Sequence, residues 1–182
     1  MIRIFVAIPI PEEISSELFQ ISMRNKEFKN IRWTPQENYH ITLFFLGEVN
    51  ENNLEKIKEK IKGAVQIFSP LEIQFDKITF AGHQKKPSMV WAQFKKTDAF
   101  QSSSEKIYEA VKEFLLVVPA FKKSIPHITL ARLKRGVEFS KLNLNFEDEI
   151  FVPPIINCEL WHTTQTQNGV LYKSLEKFDF AK

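Results

Sequence analysis

The chain opens on a short apolar run, Ile2 to Ile8, whose only polar residue is Arg3 and which reads as a first strand. Pro9 and Pro11 end it and open a helix, since proline is tolerated in a first turn. Ile14, Leu18 and Ile21 mark one face of that helix. Trp33-Thr34-Pro35 breaks the pattern, and residues 39–47, rich in β-branched and aromatic side chains, predict a strand. Leu54, Ile57, Ile61 and Val65 return to helical spacing, with Glu55, Lys58, Glu59 and Lys60 on the wet side. A strand follows over 71–80, its parity changing near Asp76-Lys77 as a bulge would require, and another over 89–94. Asp98 and Gln101 fit a capping box ahead of Ile107, Val111 and Phe114. Residues 125–133 predict a strand, and 155–164 and 170–178 flank Asn168-Gly169, a strong hairpin signal.

The order of elements repeats. His40-Ile41-Thr42-Leu43 recurs letter for letter as His127-Ile128-Thr129-Leu130, an offset of 87 residues (127 − 40). The same offset carries Ile2 to Met89, Glu12 to Ala99 and Ile73 to Leu160, each the like element of a second half. The expectation is an α+β fold: one bilobal domain over 1–182, an internal duplication with approximate halves 1–87 and 88–182. Its two pseudo-symmetric lobes would each be an antiparallel sheet with helices on the outer face, and an active-site cleft would lie between them.

Composition narrows the class. Hydrophobic residues make up 43% and charged residues 26% of the 182 positions, which excludes a disordered tail, a collagen-like repeat and a membrane bundle. The longest apolar patches, such as 114–120, fall far short of the roughly 20 residues a spanning helix needs. The opening stretch lacks a small-residue cleavage site and reads as a strand, not a signal peptide. The lone Cys158 excludes an internal disulfide and a multi-cysteine metal site, and points to a reducing, cytoplasmic compartment. A net charge of +3 names no partner, but basic residues cluster at Lys85-Lys86, Lys95-Lys96, Lys122-Lys123, and Arg132, Lys134 and Arg135.

Strand alternation turns His40 and Thr42 to one face and Ile41 and Leu43 to the other, and the same holds for His127 and Thr129. Each half therefore presents an imidazole beside a hydroxyl, and a two-fold would make the two pairs face each other. That arrangement suits phosphodiester cleavage. One neutral imidazole takes a proton from the attacking oxygen and one imidazolium protonates the leaving oxygen, roles an ordinary pKa near 6.5 permits. The threonine hydroxyls donate to the non-bridging phosphate oxygens. No metal or other cofactor is required.

Three stretches carry a resemblance to a known family. They are Arg3-Ile4-Phe5-Val6-Ala7-Ile8-Pro9, the run Trp33-Thr34-Pro35-Gln36-Glu37-Asn38-Tyr39 leading into His40 through Gly47, and Pro126-His127-Ile128-Thr129-Leu130-Ala131-Arg132. With Tyr172-Lys173-Ser174-Leu175 at the far end, the chain resembles the RNA 2′,3′-cyclic phosphodiesterases, or 2′–5′ RNA ligases, of the two-histidine phosphoesterase superfamily. The resemblance implies a bilobal α+β fold, no metal cofactor, and hydrolysis of RNA 2′,3′-cyclic phosphate ends to 2′-phosphomonoesters, with ligation as the reverse. It implies that His40 is the proton donor, His127 the proton acceptor, and Thr42 and Thr129 phosphate binders. The implied partners are RNA ends bearing the cyclic phosphate, tRNA fragments among them, with no membrane and no obligate protein partner for a monomer. Trp161-His162-Thr163 departs from the family pattern and leaves substrate preference open.

Other residues compete for attention. Arg132 is a third candidate phosphate ligand, because a guanidinium pairs bidentately with phosphate. Simple alternation puts it on the face opposite His127 and Thr129, so it reaches the cleft only if the strand twists or bulges. His83 reads as an exposed loop residue, in a loop able to rim the cleft, and His162 as structural or rim. Cys158 reads as a buried small hydrophobe. Of Phe44 and Phe45, one belongs to the core and the other is placed to stack on a base. Two rival functions stand beside the first: a diesterase for small cyclic nucleotide or ADP-ribose derivatives, and a non-catalytic RNA-end-binding module. Binding alone would not require two titrating groups.

Overall fold

The computed structural model describes residues 1–117, 124–146, 150–167 and 169–181; the Lys122-Lys123 pair and Asn168 of the hairpin signal lie outside the described residues. In chain order the elements are β1 (Ile2–Pro9), α1 (Glu12–Arg24), β2 (Ile31–Trp33), β3 (His40–Val49), α2 (Leu54–Val65), β4 (Phe75–His83), β5 (Lys86–Phe94), α3 (Asp98–Val111), β6 (His127–Leu133), β7 (Asn157–Thr166) and β8 (Gly169–Asp179). The strands make two antiparallel four-stranded sheets, ordered β3-β1-β7-β8 and β2-β6-β5-β4. The fold is α+β.

Each sheet draws on both halves of the chain. The pair β1–β3 and the pair β5–β6 are equivalent, but β4 of the first half joins β5, while β7 of the second joins β1. Helices cross over in the same sense, α1 lying against β6 and α3 against β3. The two motif strands, β3 and β6, also lie against each other. One continuous apolar core results, filled by Ile4, Ile8, Leu18, Ile41, Leu43, Ile57, Ile107, Ile128 and Leu130 among others. Phe5, Ala7 and Trp161 form a small second cluster, with Tyr172 packed against it. This is why β1 is apolar on both faces: Ile2, Ile4, Val6 and Ile8 enter the main core and Phe5 and Ala7 the second cluster.

Both motif strands bulge at the same place. Val6 pairs with Phe44 and Ala7 with Thr42, leaving Leu43 extra; Val90 pairs with Ala131 and Trp91 with Thr129, leaving Leu130 extra. Leu43 and Phe44 are therefore both buried, as are Leu130 and Ala131. Side-chain parity flips after the bulge, so Phe45 and Arg132 return to the face that carries the histidines and threonines. A further shift on β3 leaves Leu46 extra, next to Gly47 at φ +77°.

Local readings need three corrections. The N-cap of α3 is Thr97, whose hydroxyl accepts from the Phe100 amide at 3.2 Å; Asp98 is already helical, where its charge suits the positive helix end. The strand expected over 71–80 begins at Phe75, and Leu71 makes only an isolated bridge to Ile155. The bulge expected near Asp76-Lys77 is present between Phe75 and Lys77. The short β2 sits where the sequence shows only a break, and pairs with β6 at the edge of its sheet.

Candidate active site

A cleft of about 470 Å³ gathers residues from both sheets. His40, Thr42 and Phe45 come from β3, and His127, Thr129 and Arg132 from β6. All five site residues read from the sequence thus border one cavity, and the Leu130 bulge is what brings Arg132 there. The walls are completed by Arg3 and Phe5 of β1, Met89 and Trp91 of β5, Thr163 and Gln165 of β7, and Val170 and Tyr172 of β8.

The two imidazoles are held alike. His40 Nδ1 lies 2.8 Å from the Asn38 carbonyl, and His127 Nδ1 lies 2.7 Å from the Ile125 carbonyl. A carbonyl can only accept, so each Nδ1 carries a proton, and a neutral ring leaves Nε2 bare. His40 Nε2 is 3.1 Å from Thr42 Oγ1, so the hydroxyl donates to it while the ring is neutral. His127 stacks flat on Trp91, with centroids 3.7 Å apart and planes 20° apart. His40 is packed among Phe5, Trp161 and Tyr172, each about 5 Å away between ring centroids.

Burial sets the charge of both rings. It pushes the His40 pKa down to about 4; the Asn38 hydrogen bond partly opposes this and the neighbouring His127 adds to it. His127 is lowered first by burial, with the Ile125 hydrogen bond opposing and the Arg132 charge reinforcing. Both rings are therefore neutral in the free protein at neutral pH. An anion entering the cleft would raise both values, because it favours imidazolium.

The symmetry of the two motif strands ends after the bulges. Phe45 and Arg132 occupy equivalent places after the two bulges, one an exposed aromatic and the other a cation. The Arg3 guanidinium lies over the Phe45 ring, 5.1 Å from its centre, and Arg132 Nη1 donates to Met89 Sδ at 3.7 Å. Phe44 is the core member of its pair.

Three remaining candidates lie elsewhere. His83 is exposed beside the β4–β5 turn, where its Nδ1 accepts from the Lys85 amide at 3.3 Å; it does not line the cleft. His162 pairs with Ile4 on β7 and is absent from the cleft wall. Cys158 is fully buried in the core, and burial pushes its thiol up to about 12. Among the described residues no three His, Cys, Asp or Glu side chains group closely enough to hold a metal ion.

Sequence reasoning assigned no role to Asn38, which the structure makes a tie between β8 and His40. Its side chain is buried, donates to the Val170 carbonyl at 2.9 Å and accepts from the Tyr172 amide at 3.4 Å, while its own carbonyl orients His40. The available signal was a polar residue two places before a strand histidine. Trp91 and Tyr172 were likewise legible only as strand aromatics.

Two sheets that each offer a His-x-Thr pair to a shared cleft define a two-histidine phosphoesterase. Known proteins agree. Residues 8–91 match the LigT-like phosphoesterase family. The chain is 30% identical to the RNA 2′,3′-cyclic phosphodiesterase of Methanocaldococcus jannaschii, over 97% of this chain and 99% of that protein. It is 27% identical to the same-named protein of Archaeoglobus fulgidus, again over 97% and 99%. A crystal structure from Thermus thermophilus superposes with a TM-score of 0.82 at 25% identity, covering 98% of this chain and 97% of that one. Escherichia coli LigT shares the fold, with a TM-score of 0.66 at 19% identity over 100% and 98%. The chain belongs to the LigT-like RNA 2′,3′-cyclic phosphodiesterase family and is an enzyme of that family.

Stability should fall as pH drops from about 6.5 to about 4, because the unfolded chain binds a proton that folded, buried His40 refuses. Above this window both states are neutral at His40, and below it both are charged. Each such proton contributes a slope of about 1.4 kcal/mol per pH unit. Urea midpoints measured from pH 7.5 to 4 should be less pH-dependent in His40→Gln; an unchanged slope would count against the buried neutral ring. Asn38→Ala should cost about 1–3 kcal/mol in the same assay, since it strands a buried carbonyl and an amide.

Proposed function

We propose that the enzyme hydrolyses RNA 2′,3′-cyclic phosphate ends to 2′-phosphomonoesters, with the two histidines as acid and base. The observation that carries this reading is the matched pair of backbone-anchored imidazoles, Nδ1 protonated and Nε2 free for chemistry, in one cleft. His127 Nε2 takes a proton from water, whose oxygen attacks phosphorus. The bond from phosphorus to the 3′-oxygen breaks, and the leaving oxygen takes the proton of His40 Nε2–H. Microscopic reversibility makes the same pair competent for 2′–5′ ligation, with a 5′-hydroxyl in the place of water.

Thr42, Thr129 and Arg132 hold the non-bridging oxygens. Thr42 is released for this once His40 is protonated, because its oxygen no longer has a bare Nε2 to donate to. The anionic diester itself supplies the conditions for that protonation. RNA is favoured over small cyclic phosphates by the substrate for which the relatives are named, and tRNA fragments are one such RNA. A cytoplasmic monomer and an origin of the two halves by duplication belong to the same reading. Among the described residues no helix is long and apolar enough to cross a membrane.

Purified protein in EDTA, given a short RNA ending in a 2′,3′-cyclic phosphate, should yield a 2′-phosphate; a 3′-phosphate or no product refutes the reading. His40→Ala and His127→Ala should each lose roughly 10²–10⁴-fold in turnover. His40→Ala should lack the alkaline limb of the pH–rate profile and His127→Ala the acidic limb. In the wild type, the alkaline limb of kcat should lie at higher pH than that of kcat/KM, since bound phosphate raises His40. Thr42→Val and Thr129→Val should keep both limbs while losing about 2.7–4 kcal/mol of transition-state stabilisation. A threonine variant that loses a limb would show that the protons are carried elsewhere.

A further inference from the structure

A second depression begins where the cleft ends. Met89 of β5 and Arg132 of β6 are cross-strand partners on the cleft wall, and their next neighbours, Ser88 and Leu133, line a separate groove. Its volume is about 620 Å³. Lys85 and Lys86 reach it from the β4–β5 hairpin, and Lys134 and Arg135 from the segment leaving β6. All four are exposed, and among the described residues no carboxylate lines the groove. Among the described residues none of the four makes an ion pair; Glu138, the nearest acid in sequence, pairs with Lys141. Phe139 forms part of the wall and is itself braced edge-on against Phe80.

Two sequence-distant basic pairs brought to one groove, with no acid among its described lining residues, make a local positive field that favours a polyanion. The groove is also in line with the cleft. β6 runs from His127 to Leu133, so at about 3.3 Å per residue the groove lies on the order of 20 Å from the imidazole. A mononucleotide or dinucleotide bound at the histidines would not span that distance, whereas a longer strand would.

We propose that this groove binds the phosphate backbone of single-stranded RNA whose cyclic phosphate end occupies the cleft, so that it selects oligonucleotides over small cyclic phosphates. The proposal deepens the function given above and rests on it for the identity of the end, but not for binding. Lysine and arginine contacts of this kind are sequence-independent, so the groove would select for length and single-strandedness, not for base identity.

The test compares a decanucleotide and a dinucleotide, both ending in a 2′,3′-cyclic phosphate, on the wild type and on the quadruple variant K85Q/K86Q/K134Q/R135Q. Hydrolysis is followed together with binding of the fluorescent decanucleotide. Four phosphate contacts give a salt slope of about −2.8, so their share of wild-type affinity should fall roughly 50-fold between 50 and 200 mM salt. The variant should bind the decanucleotide more weakly with a slope reduced by up to about 2.8, and lose the preference for it, yet hydrolyse the dinucleotide as the wild type does. Equal decanucleotide binding and salt slope in the two proteins would overturn the groove. Groove-dependent binding without hydrolysis of either substrate would uphold it and overturn the proposed reaction. Hydrolysis that is length-independent in the wild type would overturn the groove and leave the reaction standing.

Discussion

The hydrogen bond from each cleft imidazole to the carbonyl two residues before it is the constraint on which the rest of the site depends. It consumes Nδ1, fixes the tautomer and leaves Nε2 as the only nitrogen able to exchange a proton with a ligand. An imidazole free to rotate about its side-chain bonds would present either nitrogen to the cleft. Here the backbone decides, and the backbone is itself held: the Asn38 carbonyl belongs to a residue whose side chain ties it to β8. The orientation of each ring is thus inherited from the backbone that leads into its strand, where it does not have to be created on binding.

The paired bulges do a second job with the same economy. A regular strand can put His, Thr and every second residue thereafter on one face, and would have sent Arg132 and Phe45 into the core. One extra residue in each strand instead buries two consecutive side chains and brings the next one back to the cleft. The core gains Leu43 with Phe44 and Leu130 with Ala131, so the shift costs no buried apolar contact. The exchange of β4 and β7 between the two sheets ties the two halves of the chain together, and each histidine sits on a strand hydrogen-bonded within its own sheet.

Much of this was legible in the residues. The duplicated His-Ile-Thr-Leu and the shared offset exposed the two-fold plan, because identical strand patterns carry identical inside and outside positions. What stayed hidden is what pairing decides. Alternation alone cannot locate a bulge at two consecutive apolar residues, Leu130 and Ala131, so the sequence left the side of Arg132 open, conditional on a twist or bulge. Nor does a list of strands say which sheet each joins: β4 and β7 are equally compatible with either. Asn38 escaped notice because its importance lies in bonds to Val170 and Tyr172, more than 130 residues away. The Thr97 cap was missed because Asp and Thr are both good capping residues and stand side by side.

The break in symmetry after the bulges also gives a physical reason for an unequal division of labour. Arg132, on the His127 side, disfavours the imidazolium there, which suits the role of base proposed for that ring. On the His40 side the equivalent residue is Phe45, which carries no charge, and the ring is enclosed by Phe5, Trp161 and Tyr172. His40 owes its low pKa first to lost hydration, and an anionic ligand offers the imidazolium the partner that burial removed. Arg132 partly cancels that same anionic charge at His127. The diester would therefore raise His40 more than His127, so that two rings neutral in the empty cleft become an acid and a base when it is filled.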